Sequence, residues 1–211
     1  MTPSAPRIAL ISAVTSAWAP IHDAFALGFP EAELWNLLDD RLLGDAAGQG
    51  GLTPPLTGRM ETLIRHAMDG GADAVLLTCS LYGPVAHDLA PGAQVPVAGP
   101  DDALFASARA SGAQRIGVLS SGAAPLADSV ARLREALPDR EVTGILTADA
   151  SPEAALDAVR AVPAPDLLVL GQYSLAGLAA PLGEALRLPV LAGPPLAVAA
   201  LRSALTKEVL S

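Results

Sequence analysis

Three blocks of this sequence recur, in the same order, in its second half. Arg7-Ile-Ala-Leu-Ile-Ser returns as Arg115-Ile-Gly-Val-Leu-Ser, at an offset of 108. Asp73-Ala-Val-Leu-Leu-Thr-Cys-Ser-Leu returns as Asp166-Leu-Leu-Val-Leu-Gly-Gln-Tyr-Ser, and Val95-Pro-Val-Ala-Gly-Pro as Leu188-Pro-Val-Leu-Ala-Gly-Pro, both at an offset near 93. Each block is a short apolar run closed by small or polar residues. Strands covered on both faces of a parallel sheet read this way. The repetition predicts an α/β fold of two pseudosymmetric lobes, each a parallel sheet flanked by helices. The shorter offset leaves 15 extra residues in the first half, around Trp35–Thr53. The expected division is 1–100 for the N-terminal lobe, carrying Cys79, and 101–211 for its repeat, with the last helix packing back onto the first lobe.

Composition fits that frame and narrows the partners. A length of 211 residues suits two half-size lobes. Aromatic residues make up only 3% against 51% hydrophobic, so the cores are built from small aliphatic contacts. A net charge of −9 repels nucleic acid, so none is expected as a partner. Small anions remain open, because local dipoles decide their binding. Met1–Arg7 carries no basic leader, and Ile8–Ala19 is broken by Ser12, Thr15 and Ser16; neither a signal peptide nor a membrane contact is expected, and the expected location is cytoplasmic. A single cysteine, Cys79, excludes an intrachain disulfide and a cysteine-based metal site. His22, His66 and His87 lack metal-ligand spacing, so no metal is expected.

A helix is predicted over Arg59–Met68, where Met60, Leu63, Ile64, Ala67 and Met68 follow the helical period. Thr57 is the expected cap and Gly70-Gly71 the stop. Glu33–Leu38 is an ambiguous run, and Asp101 stands where the helix after Val95–Ala98 needs a cap. Ligands of open parallel sheets bind beyond the carboxyl ends of the strands. Those ends are Ser12–Ser16, Thr78–Ser80, Ser120–Gly122 and Gln172–Ser174, and facing lobes would gather them along one interlobe cleft.

Cys79 is the leading chemical candidate. It closes a buried strand between Thr78 and Ser80, and Pro84 suits an early position in a following helix, whose dipole can lower a thiol pKa from about 8.5 into the range of about 3.5–7.5. The bland alternative is a cysteine packed as a small hydrophobe. Hydroxyls and backbone N–H groups at Ser12, Thr15 and Ser16, and at Ser120, Ser121 and Gly122, can hold a small carboxylate without arginine; ordinary helix capping is the alternative. Asp39-Asp40 and Asp101-Asp102 read as caps or solvated turns. Gly48-Gln-Gly-Gly51 neither follows a strand nor carries the lysine of a phosphate loop.

Taken together, the opening strand with its Ser/Thr turn, Trp35-Asn-Leu-Leu-Asp-Asp-Arg-Leu-Leu, Gly71-Ala-Asp-Ala-Val-Leu-Leu-Thr-Cys-Ser, Val95-Pro-Val-Ala-Gly-Pro-Asp, Arg115-Ile-Gly-Val-Leu and Leu167-Leu-Val-Leu-Gly-Gln-Tyr-Ser resemble the aspartate/glutamate racemase superfamily, with its hydantoin racemases, maleate isomerases and arylmalonate decarboxylases. The resemblance implies two pseudosymmetric lobes with a cleft, no cofactor, a homodimer or higher homo-oligomer, and one cysteine per lobe working on opposite faces of the substrate α-carbon. This chain keeps the first cysteine as Cys79. Where the family has Gly-Cys-Thr it reads Gly171-Gln172-Tyr173. Glutamine is no acid or base near neutral pH, and a tyrosine with a reference pKa near 10 needs help. The expected function is therefore a cofactor-independent enzyme acting at the carbon next to the carboxylate of a small carboxylic or amino acid. Cys79 is its acid/base or nucleophile and Tyr173 a second catalytic candidate. Ser12, Thr15, Ser16, Thr78, Ser80, Ser120, Ser121, Gly122, Gln172 and Ser174 are expected to bind the substrate. A cysteine-nucleophile hydrolase and a non-catalytic carboxylate-binding protein are the alternatives.

Overall fold

The computed structural model describes residues 5–208; the leaderless reading of Met1–Arg7 and the outer ends of the predicted lobes fall partly outside them. The chain forms two compact units, one running to Asp101 and resuming at Ala197, the other Asp102–Leu196.

In the first unit four strands form an all-parallel sheet in the order β2-β1-β3-β4: β1 (Arg7–Ser12), β2 (Glu33–Leu38), β3 (Ala74–Leu77) and β4 (Val97–Ala98). The inner strands β1 and β3 are the near-continuous apolar runs, and β3 is buried along its whole length. The edge strand β2 exposes Glu33 and Asn36 and half-buries Trp35 and Leu37, which is why its pattern is ambiguous in the sequence. The second unit repeats the order as β6-β5-β7-β8, with β5 (Arg115–Ser120), β6 (Glu141–Leu146), β7 (Leu167–Leu170) and β8 (Val190–Ala192). Even the strand entries match. The backbone N–H of Arg7 donates to Asp73 Oδ2 at 2.7 Å, and that of Arg115 to Asp166 Oδ2 at 3.0 Å.

Helices α1 (Trp18–Gly28), α2 (Leu42–Gly48), α3 (Pro54–Asp69), α4 (Gly83–Leu89) and α5 (Asp102–Ala110) precede β5; α6 (Ala123–Ala136), α7 (Pro152–Arg160), α8 (Ala179–Leu186) and α9 (Gly193–Glu208) follow it. The first unit's extra residues are α2 and the turn after it. Helix α3 starts five residues before the predicted Arg59. Thr53 is its extended N-terminal flank and Pro54-Pro55 fill the first turn, where a missing N–H costs nothing. Thr57 is therefore inside the helix, its hydroxyl donating to Pro54 O at 2.9 Å, and is not the cap. At the other end Gly71 takes φ +81°, a conformation that favours glycine. Strand β6 escapes the sequence reading because Gly144 interrupts its apolar run; α6 uses the gap, its Val130 and Leu126 lying 3.2 and 3.4 Å from where a Cβ would stand.

The first core joins α2 and α3 to the sheet through Leu42, Ala46, Met60, Ile64, Val75, Leu77 and Tyr82. From Ala197 onward α9 belongs to the first unit, where Arg202 donates to Gly28 O at 2.9 Å and Glu31 Oε1 at 2.8 Å. Trp35 lies over the end of α3, edge-on to His66 at 5.4 Å. A Cβ on Gly70 would stand 2.5 Å from Trp35 Cη2 and 3.1 Å from His66 O. Gly70→Ala is therefore expected to destabilise the protein by about 1–3 kcal/mol through overpacking, read from the urea midpoint by tryptophan fluorescence. Among the described residues no helix is long and apolar enough to cross a membrane.

Candidate functional site

Each sheet ends in a cluster of small polar residues, and the two clusters differ where it matters for chemistry. In the first unit Ser12 closes β1 and Thr78 follows β3. Their hydroxyls lie 2.8 Å apart. Trp18 Nε1 donates to Ser12 Oγ at 3.1 Å, and Thr78 Oγ1 donates to Ile11 O at 3.4 Å, so one consistent direction runs from Trp18 through Ser12 and Thr78 to the β1 backbone. Ser12 and Thr78 are buried, at 0% and 6% exposure. They brace the strand ends against each other, whereas Thr15 and Ser16, in the 3-10 turn Thr15–Ala17, are exposed.

Cys79 is half-buried and extended at φ −119°, ψ 115°, immediately before the 3-10 turn Ser80–Tyr82. Helix α4 begins only after that turn, with Pro84 in its first turn. The early-helix position expected of Pro84 is thus observed, with a 3-10 turn standing between Cys79 and that helix. The β3 end leads into a tight turn, whose Tyr82 N–H donates to Cys79 O at 3.1 Å. Tyr82 is fully buried, and its hydroxyl donates to Leu42 O at 2.9 Å. Burial, and next to it the nearby Cys79, push the phenol above its ordinary range, so it stays a neutral donor.

Helix α2 is also held electrostatically. Arg59 on α3 reaches Asp39 through Nη2 and Asp45 through Nη1 at 2.6 Å. Asp39 is therefore an ion-pair member as well as a turn residue, accepting from Arg41 N–H at 3.2 Å. The Arg59 hydrogen bond, with help from Arg41, holds the Asp45 carboxyl below its ordinary 3.8. A lowered carboxyl pKa contributes stability that is complete above the unfolded value and is lost as pH falls through the folded one. The stability difference between wild type and Arg59→Gln is expected to be full at pH 6 and to shrink below about pH 4, which denaturant titrations at the two pH values would read.

In the second unit Ser120 closes β5, Gly122 precedes α6, and Gln172 follows Gly171 at the end of β7. Leu119 pairs with Leu170 as Ile11 pairs with Leu77, so Ser120 stands where Ser12 does and Gln172 where Cys79 does. The backbone agrees. Gln172 is extended at φ −142°, ψ 141° before the 3-10 turn Tyr173–Leu178, as Cys79 is before its own. Gln172 Oε1 accepts from Ser120 Oγ at 2.9 Å, Ser121 N at 2.9 Å and Ser121 Oγ at 3.0 Å. Gln172 is half-buried, Tyr173 is only 7% exposed, and Ser121 and Ser174 are exposed. Each sheet thus gathers its own predicted residues at one end: Ser12, Thr15, Ser16, Thr78, Cys79 and Ser80 in the first, and Ser120, Ser121, Gly122, Gln172, Tyr173 and Ser174 in the second. The sequence reading missed the parts played by Trp18, Tyr82 and the Arg59–Asp39–Asp45 group, which show only in side-chain contacts that no apolar period displays. Among the described residues no three His, Cys, Asp or Glu side chains are gathered for a metal ion.

Residues 51–201 match the sequence profile of the family described as Asp/Glu/Hydantoin racemase. Among solved structures, the fold is similar to that of allantoin racemase from Klebsiella pneumoniae (19% identity, 96% of this chain and 89% of that chain, TM-score 0.72). It is also similar to unliganded arylmalonate decarboxylase (15%, 95% and 92%, 0.67) and to the maleate isomerase Iso from Pseudomonas putida S16 (17%, 95% and 93%, 0.67). No curated protein matches the sequence.

Proposed function

Because the chain belongs to the Asp/Glu/Hydantoin racemase family, we propose that it is a cofactor-independent enzyme acting at the carbon next to the carboxylate of a small carboxylic or amino acid, with Cys79 as its acid/base. The observation that carries this reading is the pairing of positions. The first sheet ends in a half-buried thiol and the second, at the same register and backbone conformation, in an amide. A thiol exchanges protons near neutral pH and an amide does not. Chemistry with a single proton-transfer group follows.

In an isomerisation the Cys79 thiolate takes the α-proton, leaving a thiol and an enolate-like dianion, and the thiol returns a proton to complete the cycle. In a decarboxylation the carbon–carboxylate electron pair stays on the α-carbon as carbon dioxide leaves, and the Cys79 thiol protonates it. Either intermediate needs donors on its carboxylate oxygens. The exposed Thr15, Ser16 and Ser174, half-buried Ser80 and Gln172 are assigned that work. Tyr173, at 7% exposure, is not assigned a part in the proton step. The racemase, isomerase and decarboxylase whose folds it resembles support the reaction type.

The test is a panel of small dicarboxylic, α-amino and aryl-substituted carboxylic acids incubated with the protein and followed by NMR. The proposal expects at least one to be isomerised or decarboxylated. Saturable binding with no conversion would instead identify a carboxylate-binding protein, the reading that the engaged Gln172 amide favours. An acyl adduct on Cys79 by intact mass would identify a hydrolase.

A further inference from the structure

Gln172 holds three donors on one oxygen, and their chemistry fixes which way its amide points. The backbone N–H of Ser121 only donates, so the side-chain atom 2.9 Å from it is the carbonyl oxygen and not the NH2 group. Ser120 Oγ receives the Gly122 N–H at 3.3 Å, and of the two acceptors within reach of its own hydrogen Gln172 Oε1, at 2.9 Å, is nearer than Gly122 O, at 3.2 Å. Ser121 Oγ adds the third bond at 3.0 Å. An oxygen that takes three donors has no capacity left for a ligand. What the amide keeps is its NH2, with two hydrogens in a plane set by the turn between β5 and α6. Among the described residues no protein group takes those hydrogens.

We propose that Gln172 is a positioning and specificity-determining residue: Ser120 and Ser121 lock its oxygen so that its NH2 presents a fixed donor to a carboxylate or carbonyl oxygen of the ligand. This rests on the reading of the protein as one that binds small carboxylates, and it changes the part played by the two serines. Their hydroxyls act through Gln172, and the position equivalent to Cys79 recognises an acceptor instead of moving a proton. The ligand class it fits carries a carboxylate or carbonyl oxygen that accepts at this sheet end. A second acidic hydrogen is not required there.

Two substitutions separate the lock from the donor. Gln172→Glu keeps an oxygen for all three donors, strengthened by charge, but removes both N–H groups. Gln172→Leu removes both functions. The Ser121 amide is expected to exchange slowly in wild type and Gln172→Glu and at least tenfold faster in Gln172→Leu. Equal exchange in all three proteins would overturn the lock. The side-chain NH2 resonances of Gln172, assigned by their loss in Gln172→Glu, are expected to shift saturably as malonate is added to the labelled wild type. With a substrate from the panel above, both variants are expected to raise KM at least tenfold with a smaller change in kcat. A Gln172→Glu protein with wild-type stability and wild-type KM would overturn the donor role, as would resonances unmoved by malonate. The exchange and malonate measurements need no turnover. A protein that shows the lock and the shift but converts nothing therefore leaves this inference standing while the enzymatic reading falls.

Discussion

Cys79→Ala is expected to cut turnover by about 10²–10⁴-fold, the usual contribution of a positioned general acid or base, with the folded state left in place. Among the described residues that close the inner strands β1, β3, β5 and β7, Cys79 is the half-exposed side chain whose chemistry suits reversible proton transfer. It sits beyond β3 and not within it, so removing one sulfur opens little space. Circular dichroism and the urea midpoint of the variant should therefore stay close to wild type while activity on the identified substrate collapses. Cys79→Ser keeps the size but supplies a far weaker acid, and its loss should be comparable. Wild-type turnover in either variant would remove Cys79 from the mechanism.

The second large effect is one of stability, at Tyr82. Its side chain is wholly buried among Leu42, Ala46, Val85 and Ala86 of the first core, and Tyr82→Ala is expected to cost about 3–5 kcal/mol, as truncation of buried aromatic residues does. Tyr82→Phe separates the ring from the hydroxyl. It keeps the packing, loses only the bond to Leu42 O, and should cost about 0.5–1.5 kcal/mol. Tyr82 shares its 3-10 turn with Ser80 and bonds back to Cys79, so the alanine variant should also loosen the turn that presents the thiol. Urea unfolding gives the energies, and hydrogen exchange over Leu42–Gly48 locates the loss. A Tyr82→Ala protein as stable as wild type would show that the core does not depend on this anchor.

Much of this was legible in the sequence because the fold is written twice. The inner strands β1, β3, β5 and β7 are apolar runs in both halves, and the repeat alone puts Cys79 and Gln172 at matched positions. The edge strands were harder. Strand β2 is half-buried and β6 carries Gly144, so neither shows an uninterrupted apolar run. Helix α3 extends to Pro54 because prolines belong in a first turn, a local rule that the apolar period of Arg59–Met68 does not display. What no local pattern holds is the partnering of polar atoms across the chain. Arg59 with Asp39 and Asp45, and the three donors on Gln172, join residues far apart in sequence, and even Trp18 with Ser12 spans a turn and the start of a helix. The last of these turns Gln172 from a missing cysteine into an oriented donor.

The central claim is that one thiol, Cys79, carries a proton to or from the carbon beside a carboxylate. The most direct measurement is the deuterium content of that carbon after reaction in deuterated water, for wild type and Cys79→Ser side by side. The account predicts one deuterium at the α-carbon with wild type and none above the uncatalysed level with the variant. Equal incorporation by both proteins would contradict it, and would assign the proton to another group.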